Sequence, residues 1–315
     1  MRFGINTFLF TSPFTTESIS LFPQFKKWGF DSVEIALEDA SHIEPVTVKK
    51  ALDDNGLVCG SICAAMGGGR DLRGTAEEQK GSLDYLKAII DLSPALGHPT
   101  LIGPLYSEVG RAGLVAPEDY KQQWDTVVKH LRTLAAHAGK LNVKLAIEPL
   151  NRFETDFINT CDQALKMVND VNEGSLFVHL DSFHMNIEEK DSAKAILKAG
   201  NKLAHFHACG SDRGTPGNDH INWAGIFDAL KQIDYKGDIV IESFTPAIEI
   251  IAKAACIWRE MEPSKESIAI DGVKFLKKQW QLENVSTASF LFQLYSLPYW
   301  LNPITTACHA EERSI

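Results

Sequence analysis

Four residues that can bind a metal ion stand at the ends of four successive strands predicted from the sequence. The predicted strands 143–148, 176–181, 203–208 and 238–242 have, at or next to their last positions, Glu148, Asp181, His207 and Glu242. These residues are 33, 26 and 35 positions apart, about one strand–helix unit each. Three carboxylates and one imidazole suit Mn²⁺, Mg²⁺ or Co²⁺ better than a structural zinc ion, which favours cysteine. The pattern predicts one shared divalent-metal site.

Each of these residues also has a simpler interpretation. A Glu, Asp or His at a strand end can cap the next helix or pair with a nearby lysine. Four in successive strands, all at the same end, favour a shared site. His179 and His205 stand two residues before Asp181 and His207, so they should face the same interior but lie deeper. We interpret both as packing or supporting residues, with His205 as a less favoured alternative ligand.

The positions of Glu148 and Glu242 indicate what chemistry such a site could perform. They end predicted strands five and eight, which in a closed eight-stranded barrel are separated by roughly 135°. One carboxylate could remove a proton from one face of a carbon, and the other could return a proton to the opposite face. A metal ion that polarises the neighbouring carbonyl would acidify that carbon and stabilise a cis-enediolate. The arrangement suits epimerisation of a carbon next to a ketone.

The elements that would position these residues are eight short β-rich segments, which alternate with amphipathic helical stretches. The other four predicted strands are 2–8, 31–37, 57–64 and 99–103. This alternation predicts an α/β fold, a single-domain (β/α)8 TIM barrel over residues 1–282. A doubly wound open sheet is the alternative. Residues 283–315 are an apolar, aromatic extension, which we expect either to cover an outer surface or interface or to be mobile.

Uncommon sequence strings occur in order at these strand ends. They are EPLNRFET at 148–155, HLDSFHMN at 179–186, HFHAC at 205–209, SDRG at 211–214 and IESF at 241–244. In these strings the chain resembles the D-tagatose 3-epimerase and D-psicose (D-allulose) 3-epimerase family, and the similarity runs from Met1 to about residue 280. The resemblance implies an enzyme that epimerises C3 of free ketohexoses, of the D-fructose/D-psicose and D-tagatose/D-sorbose type. It implies one Mn²⁺ ion, with Co²⁺ or Mg²⁺ as alternatives.

The same resemblance implies roles for individual residues. The metal ligands would be Glu148, Asp181, His207 and Glu242, with Glu148 and Glu242 also acting as the acid–base pair. Glu154, His184 and Arg213 match the positions that hold the O1–O3 end of the sugar. Taken alone, Glu154 and Arg213 could equally form surface ion pairs, and His184 could simply begin a helix.

The first strand departs from the family pattern. Asn6 occupies a position where some relatives have an aromatic residue that lines the sugar pocket. We expect Asn6 to lie at the pocket and Phe8, or alternatively Phe10, to supply the aromatic wall. The departure leaves the preferred sugar open.

Composition excludes several other classes of protein. The formal net charge is -10 and no basic stripe is present, so we expect no nucleic-acid partner. We expect no membrane partner and a cytoplasmic location, because the N-terminus reads as a strand and no apolar run is long enough to span a bilayer. The six cysteines show no C-x-x-C spacing and fit free thiols in a reducing compartment. We expect a homodimer or homotetramer that binds a small ketose.

Other functions remain as alternatives at this point. An aldose–ketose isomerase of the hydroxypyruvate- or xylose-isomerase type would use the same metal and the same kind of enediolate chemistry. An inosose-type polyol dehydratase would use similar ligands. A barrel endonuclease acting at abasic sites is opposed by the net charge, and a non-catalytic sugar-binding protein would not need two opposed carboxylates. The Gly67-Gly68-Gly69-Arg70 string lacks the spacing of a phosphate loop, so we interpret it as a flexible loop that could border the pocket.

Overall fold

A computed structural model describes residues 1–282, and the predicted extension 283–315 lies outside the described residues. Eight parallel strands follow one another in chain order and close into a barrel. They are β1 (Phe3–Asn6), β2 (Ser32–Leu37), β3 (Val58–Ala64), β4 (Thr100–Gly103), β5 (Leu145–Ile147), β6 (Leu176–Asp181), β7 (Leu203–Ala208) and β8 (Ile239–Ile241).

Helices surround this barrel. Over residues 1–282 they are α1 (Phe22–Trp28), α2 (Pro45–Asp54), α3 (Ala76–Leu92), α4 (Pro117–Lys140), α5 (Cys161–Val171), α6 (Ser182–Glu188), α7 (Ser192–Ala199), α8 (Trp223–Gln232), α9 (Glu249–Ala254) and α10 (Lys265–Gln281). Short 3-10 turns occur at Thr7–Leu9, Thr16–Leu21, Ala40–His42, Ser93–Leu96 and Gly200–Lys202. Within this part of the chain, no helix has both the length and the apolarity to cross a membrane.

The pairing of β1 with β8 closes the barrel. Phe3 lies opposite Ile239 and Ile5 opposite Ile241, in parallel register. The TIM-barrel prediction is therefore confirmed, and the alternative of an open doubly wound sheet is wrong. Each of the eight predicted strands contains one strand of the structure. β1 is shorter than predicted because the Asn6 side chain accepts a hydrogen bond from the Phe8 backbone N–H (2.8 Å), which starts a 3-10 turn.

Apolar packing differs between the two faces of the barrel wall. The large cluster lies between the strands and the surrounding helices, and includes Ile35, Leu86, Leu131 and Phe206. A second, small cluster of Ala36, Cys63, Ile102 and Ala146 shares its contacts with Phe177. This cluster is composed of small or medium-sized side chains. The carboxyl ends of β5 to β8 remain available for the polar residues of the candidate site.

Gly217 holds the loop between β7 and α8 in place. Its φ is +93°, and a Cβ atom added there would lie 2.5 Å from Cδ2 of Phe275 in α10. We expect Gly217→Ala to lower the free energy of unfolding by about 2 kcal/mol, because left-handed strain and overpacking add. Urea denaturation measures this. Gly113→Ala, where no atom lies within 4 Å of the added Cβ, is the control and should stay within about 0.5 kcal/mol of wild type. Equal losses in the two variants would contradict this assignment.

Candidate active site

The four residues at the ends of the last four strands converge. Glu148 follows β5, Asp181 ends β6, His207 lies in β7 and Glu242 follows β8. One ligand atom from each lies within 4.8 Å of the others, and all four residues are buried. His207 Nδ1 is 3.2 Å from Glu242 Oε2, 3.8 Å from Asp181 Oδ2 and 4.0 Å from Glu148 Oε1. The closed barrel brings together residues that are far apart in the chain.

The chemistry of this cluster fits a divalent cation. Glu148 Oε1 and His207 Nδ1 are buried without a hydrogen-bond partner in the described part of the chain. Burial, together with the nearby charge of Glu242, raises the pKa of Glu148 well above its usual range. Burial opposes protonation of His207, yet the carboxylates of Glu242 and Glu34 raise its pKa well above its usual value. Crowded carboxylates with unpartnered ligand atoms are the arrangement that a metal ion would stabilise.

Asp181 combines two roles that the sequence presented as alternatives. Its Oδ1 accepts a hydrogen bond from the backbone N–H of Phe183 (2.6 Å), so Asp181 caps helix α6. Its Oδ2 faces the cluster and accepts a hydrogen bond from Arg213 Nη1 at 2.7 Å. Although burial opposes ionisation, the Arg213 guanidinium holds the pKa of Asp181 well below its usual range. The helix cap thereby orients the carboxylate toward the site.

Arg213 is the fixed cation of the site. Its Nη1 also donates to Glu242 Oε2 (3.1 Å), and its guanidinium lies 4.3 Å from the ring centre of Phe183 and 5.1 Å from that of Phe244. The backbone of Arg213 has a φ of 68°, which non-glycine residues rarely adopt. Such a conformation is typical of functional sites, where surrounding contacts compensate its cost. The guanidinium can therefore stabilise negative charge beside Asp181 and Glu242.

His184 contacts Arg213 directly, and Asn151 connects Glu154 to His184. His184 Nε2 lies 2.9 Å from Arg213 Nη2, and His184 Nδ1 accepts a hydrogen bond from the backbone N–H of Asn151 at 3.0 Å. The Asn151 side chain donates to Glu154 Oε1 (2.8 Å). Burial and then the Arg213 charge lower the pKa of His184, which favours a neutral imidazole. The three predicted sugar-contact residues thus form one connected set, with Asn151 as the link that sequence reasoning missed.

A cavity of about 610 Å³ opens above the four-residue cluster. Glu148, Glu154, His184, Arg213 and Glu242 all line it. Its outer wall is largely apolar, and the lining also includes Phe8, Met66, Val109, Phe244, Ile250 and Ile251. The Gly67–Arg70 loop borders this cavity, as its sequence position suggested. A cavity of this size accommodates a free sugar.

The first-strand residues are placed differently from one another. Phe8 lines the cavity, whereas Phe10 packs in the core against Phe25 and Trp28. Asn6 is buried below the cavity lining. Its Nδ2 donates to Glu34 Oε1 (2.7 Å) and to Glu242 Oε1 (3.0 Å). The structure therefore places Phe8 at the cavity, whereas the Asn6 amide bonds to Glu34 and Glu242.

Glu34 is a second residue of the candidate site that sequence reasoning missed. It is fully buried in β2, where its Oε1 lies 2.8 Å from His207 Nε2 and its Oε2 lies 2.8 Å from His205 Nε2. Ser61 Oγ donates to the same Oε2 at 2.5 Å. The His205 imidazole thus faces Glu34, while His207 presents its Nδ1 to the four-residue cluster. A glutamate between Val33 and Ile35 in a buried strand was the signal that could have identified it.

Comparison with known families defines the class of the chain. A profile of the xylose isomerase-like TIM barrel family matches residues 22–279, which is most of the chain. The closed eight-stranded barrel and the polar cluster at the carboxyl ends of its strands agree with that class.

Individual relatives are more specific. The chain is 36% identical to the probable ketose 3-epimerase of Synechocystis sp. over 282 residues, covering 89% of this chain and 97% of that protein. It is 32% identical to the L-ribulose 3-epimerase of Methylomonas sp. over 80% of this chain and 88% of the relative. A solved D-allulose 3-epimerase from Methylomonas sp., in complex with D-allulose, superposes with a TM-score of 0.82 at 28% identity, covering 89% of this chain and 97% of the other. The chain belongs to the ketose 3-epimerases within the xylose isomerase-like TIM barrels.

Proposed function

We propose that this chain epimerises free ketoses at C3 through a cis-enediolate. The observation that carries the proposal is the placement of Glu148 and Glu242 after β5 and β8, in one buried cluster at the base of the sugar-sized cavity. The similarity to proteins named L-ribulose 3-epimerase and ketose 3-epimerase supports the same reaction. Aldose–ketose isomerisation and polyol dehydration are not favoured by these relatives.

Each residue of the site has a separate role in the proposed reaction. One glutamate carboxylate takes the C3 proton, and the bonding electron pair remains on the sugar as the enediolate. The other glutamate, in its acid form, returns a proton to the opposite face of C3. Arg213 stabilises the developing oxyanion, while Glu154 and His184 hold hydroxyl groups at the O1–O3 end. The apolar wall at Phe8 and Phe244 limits water at the reacting carbon.

A divalent cation completes this proposal. Glu148, Asp181, His207 and Glu242 would hold it, and we propose Mn²⁺, with Co²⁺ or Mg²⁺ as alternatives. When bound, such an ion supplies Lewis-acid stabilisation of negative charge on the ketose oxygens. The three carboxylates and one imidazole of the cluster support a hard cation over a thiolate-bound zinc ion.

Proton exchange at C3 tests the reaction. Metal-loaded protein is incubated in D₂O with D-fructose, D-psicose, D-tagatose or L-ribulose, and the sugars are followed by NMR. We expect deuterium at C3 together with the C3 epimer. An aldose labelled at C1 or C2 would instead identify an isomerase. Absence of exchange with every free ketose, in protein shown to hold its metal, would reject epimerisation and direct attention to dehydration.

Metal binding is expected to stabilise the fold. At a free Mn²⁺ concentration 100 times its Kd, the free energy of unfolding should rise by about 2.7 kcal/mol. Thermal and urea denaturation with Mn²⁺, Co²⁺ and Mg²⁺ would rank the ions. His207→Gln should remove most of this gain, whereas His137→Gln, on the surface of α4, should keep it. A gain that survives in His207→Gln would place the ion elsewhere.

We further propose a homodimer or homotetramer that lies in the cytoplasm and has no nucleic-acid partner. The net charge of -10 supports the last point, since a nucleic-acid interface needs clustered cations. Light scattering coupled to size-exclusion chromatography would determine the oligomeric state, and a monomer under all conditions would reject that part.

A further inference from the structure

A second large cavity lies at the opposite end of the barrel. It has a volume of about 670 Å³ and is lined by residues at the amino-terminal ends of the strands, including Arg2, Thr100, Lys144, Phe177 and Asp238. We call these lining residues the amino-terminal mouth. Lys202 is included because its Nζ lies close to the ring of the lining residue Phe177. None of the residues assigned to metal, acid–base or sugar binding lines this cavity.

Two lysines of the amino-terminal mouth lie beside the same aromatic ring. The Nζ atoms of Lys144 and Lys202 lie 5.4 and 5.8 Å from the ring centre of the same residue, Phe177. Within residues 1–282, no ion pair involves either ammonium group. Other cations at the cavity are paired, Lys49 with Asp53 and Lys236 with Asp234. Two unpaired ammonium groups beside one ring, in a chain of net charge -10, make a local anion-attracting field.

Arg2 adds a third cation with a fixed position. Its Nε donates to Asp238 Oδ1 at 2.7 Å, and Asp238 is only 3% exposed. Asp238 is held in turn by tight packing, because a Cβ atom added at Gly60 would lie 2.0 Å from its Oδ2. The bond through Nε leaves the terminal nitrogens of Arg2 without a partner among the described residues. The amino-terminal mouth therefore combines two ammonium groups that form no ion pair within residues 1–282 with one anchored guanidinium.

We infer that the amino-terminal mouth binds a phosphate group, carried by a small phosphorylated metabolite. A phosphate monoester has a charge of about -1.5 to -2 at neutral pH, which matches Lys144 and Lys202. Arg2 provides planar N–H donors that suit phosphate oxygens. The cavity is larger than inorganic phosphate requires and falls within the usual range for small-molecule sites. This cavity is separate from the one at the carboxyl ends of the strands, although His205 lines it and its Nε2 lies 2.8 Å from Glu34 Oε2.

Calorimetric titration of the metal-loaded full chain, freed of excess metal, tests the inference. The probes are inorganic phosphate and D-glucose 6-phosphate at low ionic strength. We expect one saturable site per chain, with the ester binding more tightly. Equal affinity for the two probes would keep the phosphate site but overturn the phosphorylated metabolite as its occupant.

Matched variants identify where the probe binds. The double variant Lys144→Gln/Lys202→Gln should raise the Kd for D-glucose 6-phosphate about tenfold, because charge-assisted contacts are lost. Lys129→Gln/Lys190→Gln changes the net charge equally at two exposed lysines away from the cavity, and should change the Kd less than about twofold. Epimerase activity should be unchanged in both. Absence of saturable binding, equal weakening in both variants, or competition between the probe and a ketose substrate would overturn the inference.

Discussion

Glu148→Gln and Glu242→Gln are each expected to reduce formation of the C3 epimer by at least about 10³-fold, the range of general acid–base contributions. Each substitution keeps the size of the side chain but removes a group that can exchange a proton with C3. The loss should appear in kcat as well as in kcat/KM, because the missing interaction belongs to the transition state. NMR in D₂O measures epimer formation and C3 exchange in one experiment.

Glu108→Gln is the matched control for this prediction. Glu108 lines the cavity above the four-residue cluster. Its Oε1 accepts a hydrogen bond from the Gly69 backbone N–H (3.0 Å) and does not face that cluster. We expect its activity to remain within about tenfold of wild type, since a peripheral polar contact contributes about 1 kcal/mol. Since both glutamates are proposed ligands, metal content must be measured in each variant. A metal-loaded Glu148→Gln or Glu242→Gln protein with near-wild-type epimerisation would falsify the two-carboxylate mechanism.

Glu34→Gln should weaken metal binding although Glu34 does not belong to the four-residue cluster. Glu34 fixes His207 through Nε2 and fixes Glu242 through the shared Asn6 amide. A glutamine would present an N–H group to donors that now meet a carboxylate, so His207 would lose its orientation. Loss of such a supporting contact typically costs about 10- to 100-fold in metal affinity. Titration of the folded variant with Mn²⁺, followed by electron paramagnetic resonance, measures this directly.

A loss of folding stability in Glu34→Gln must be distinguished from a loss of metal affinity. Removing one partner of a buried charged network costs about 3 kcal/mol or more, so Glu34→Gln should also lower the free energy of unfolding. Asp71→Asn is the control. Asp71 is a buried carboxylate that pairs with Arg111 (2.6 Å) and lies away from the four-residue cluster. We expect Asp71→Asn to lose stability and keep its Mn²⁺ affinity. If both variants kept wild-type Mn²⁺ affinity, Glu34 would have only a structural role.

The fold was predictable because strand and helix periods repeat eight times, and a barrel converts strand ends into one mouth. That rule alone brings Glu148 and Glu242 into the same region, although 94 positions separate 148 from 242 in the chain. The rule works for residues whose position depends on the backbone path. It also predicted that His179 and His205 face the interior, where the centres of their rings lie 4.9 Å apart.

Contacts that depend on side-chain interlocking were not predictable in the same way. Glu34 meets Ser61 because the pairing of β2 with β3 shifts between Val33 and Glu34, so one residue of β3 is skipped. No sequence period predicts such a shift. The hydrogen bonds of Asn6 were likewise not predictable from the sequence. The sequence placed it at the sugar, but its amide bonds to Glu34 and Glu242, because a buried amide must satisfy its donors locally.

The closure of β8 onto β1 has a consequence for synthesis on the ribosome. All four residues of the cluster lie at or after the end of β5, and Glu242 directly follows β8, the last of the eight strands to emerge. That strand can pair with β1 only when nearly the whole barrel has left the exit tunnel, so the most sequence-distant contacts form last. A nascent chain interrupted before residue 242 would lack one carboxylate and the closing strand together. The four-residue cluster would thus be complete only after β8 and Glu242 have been translated.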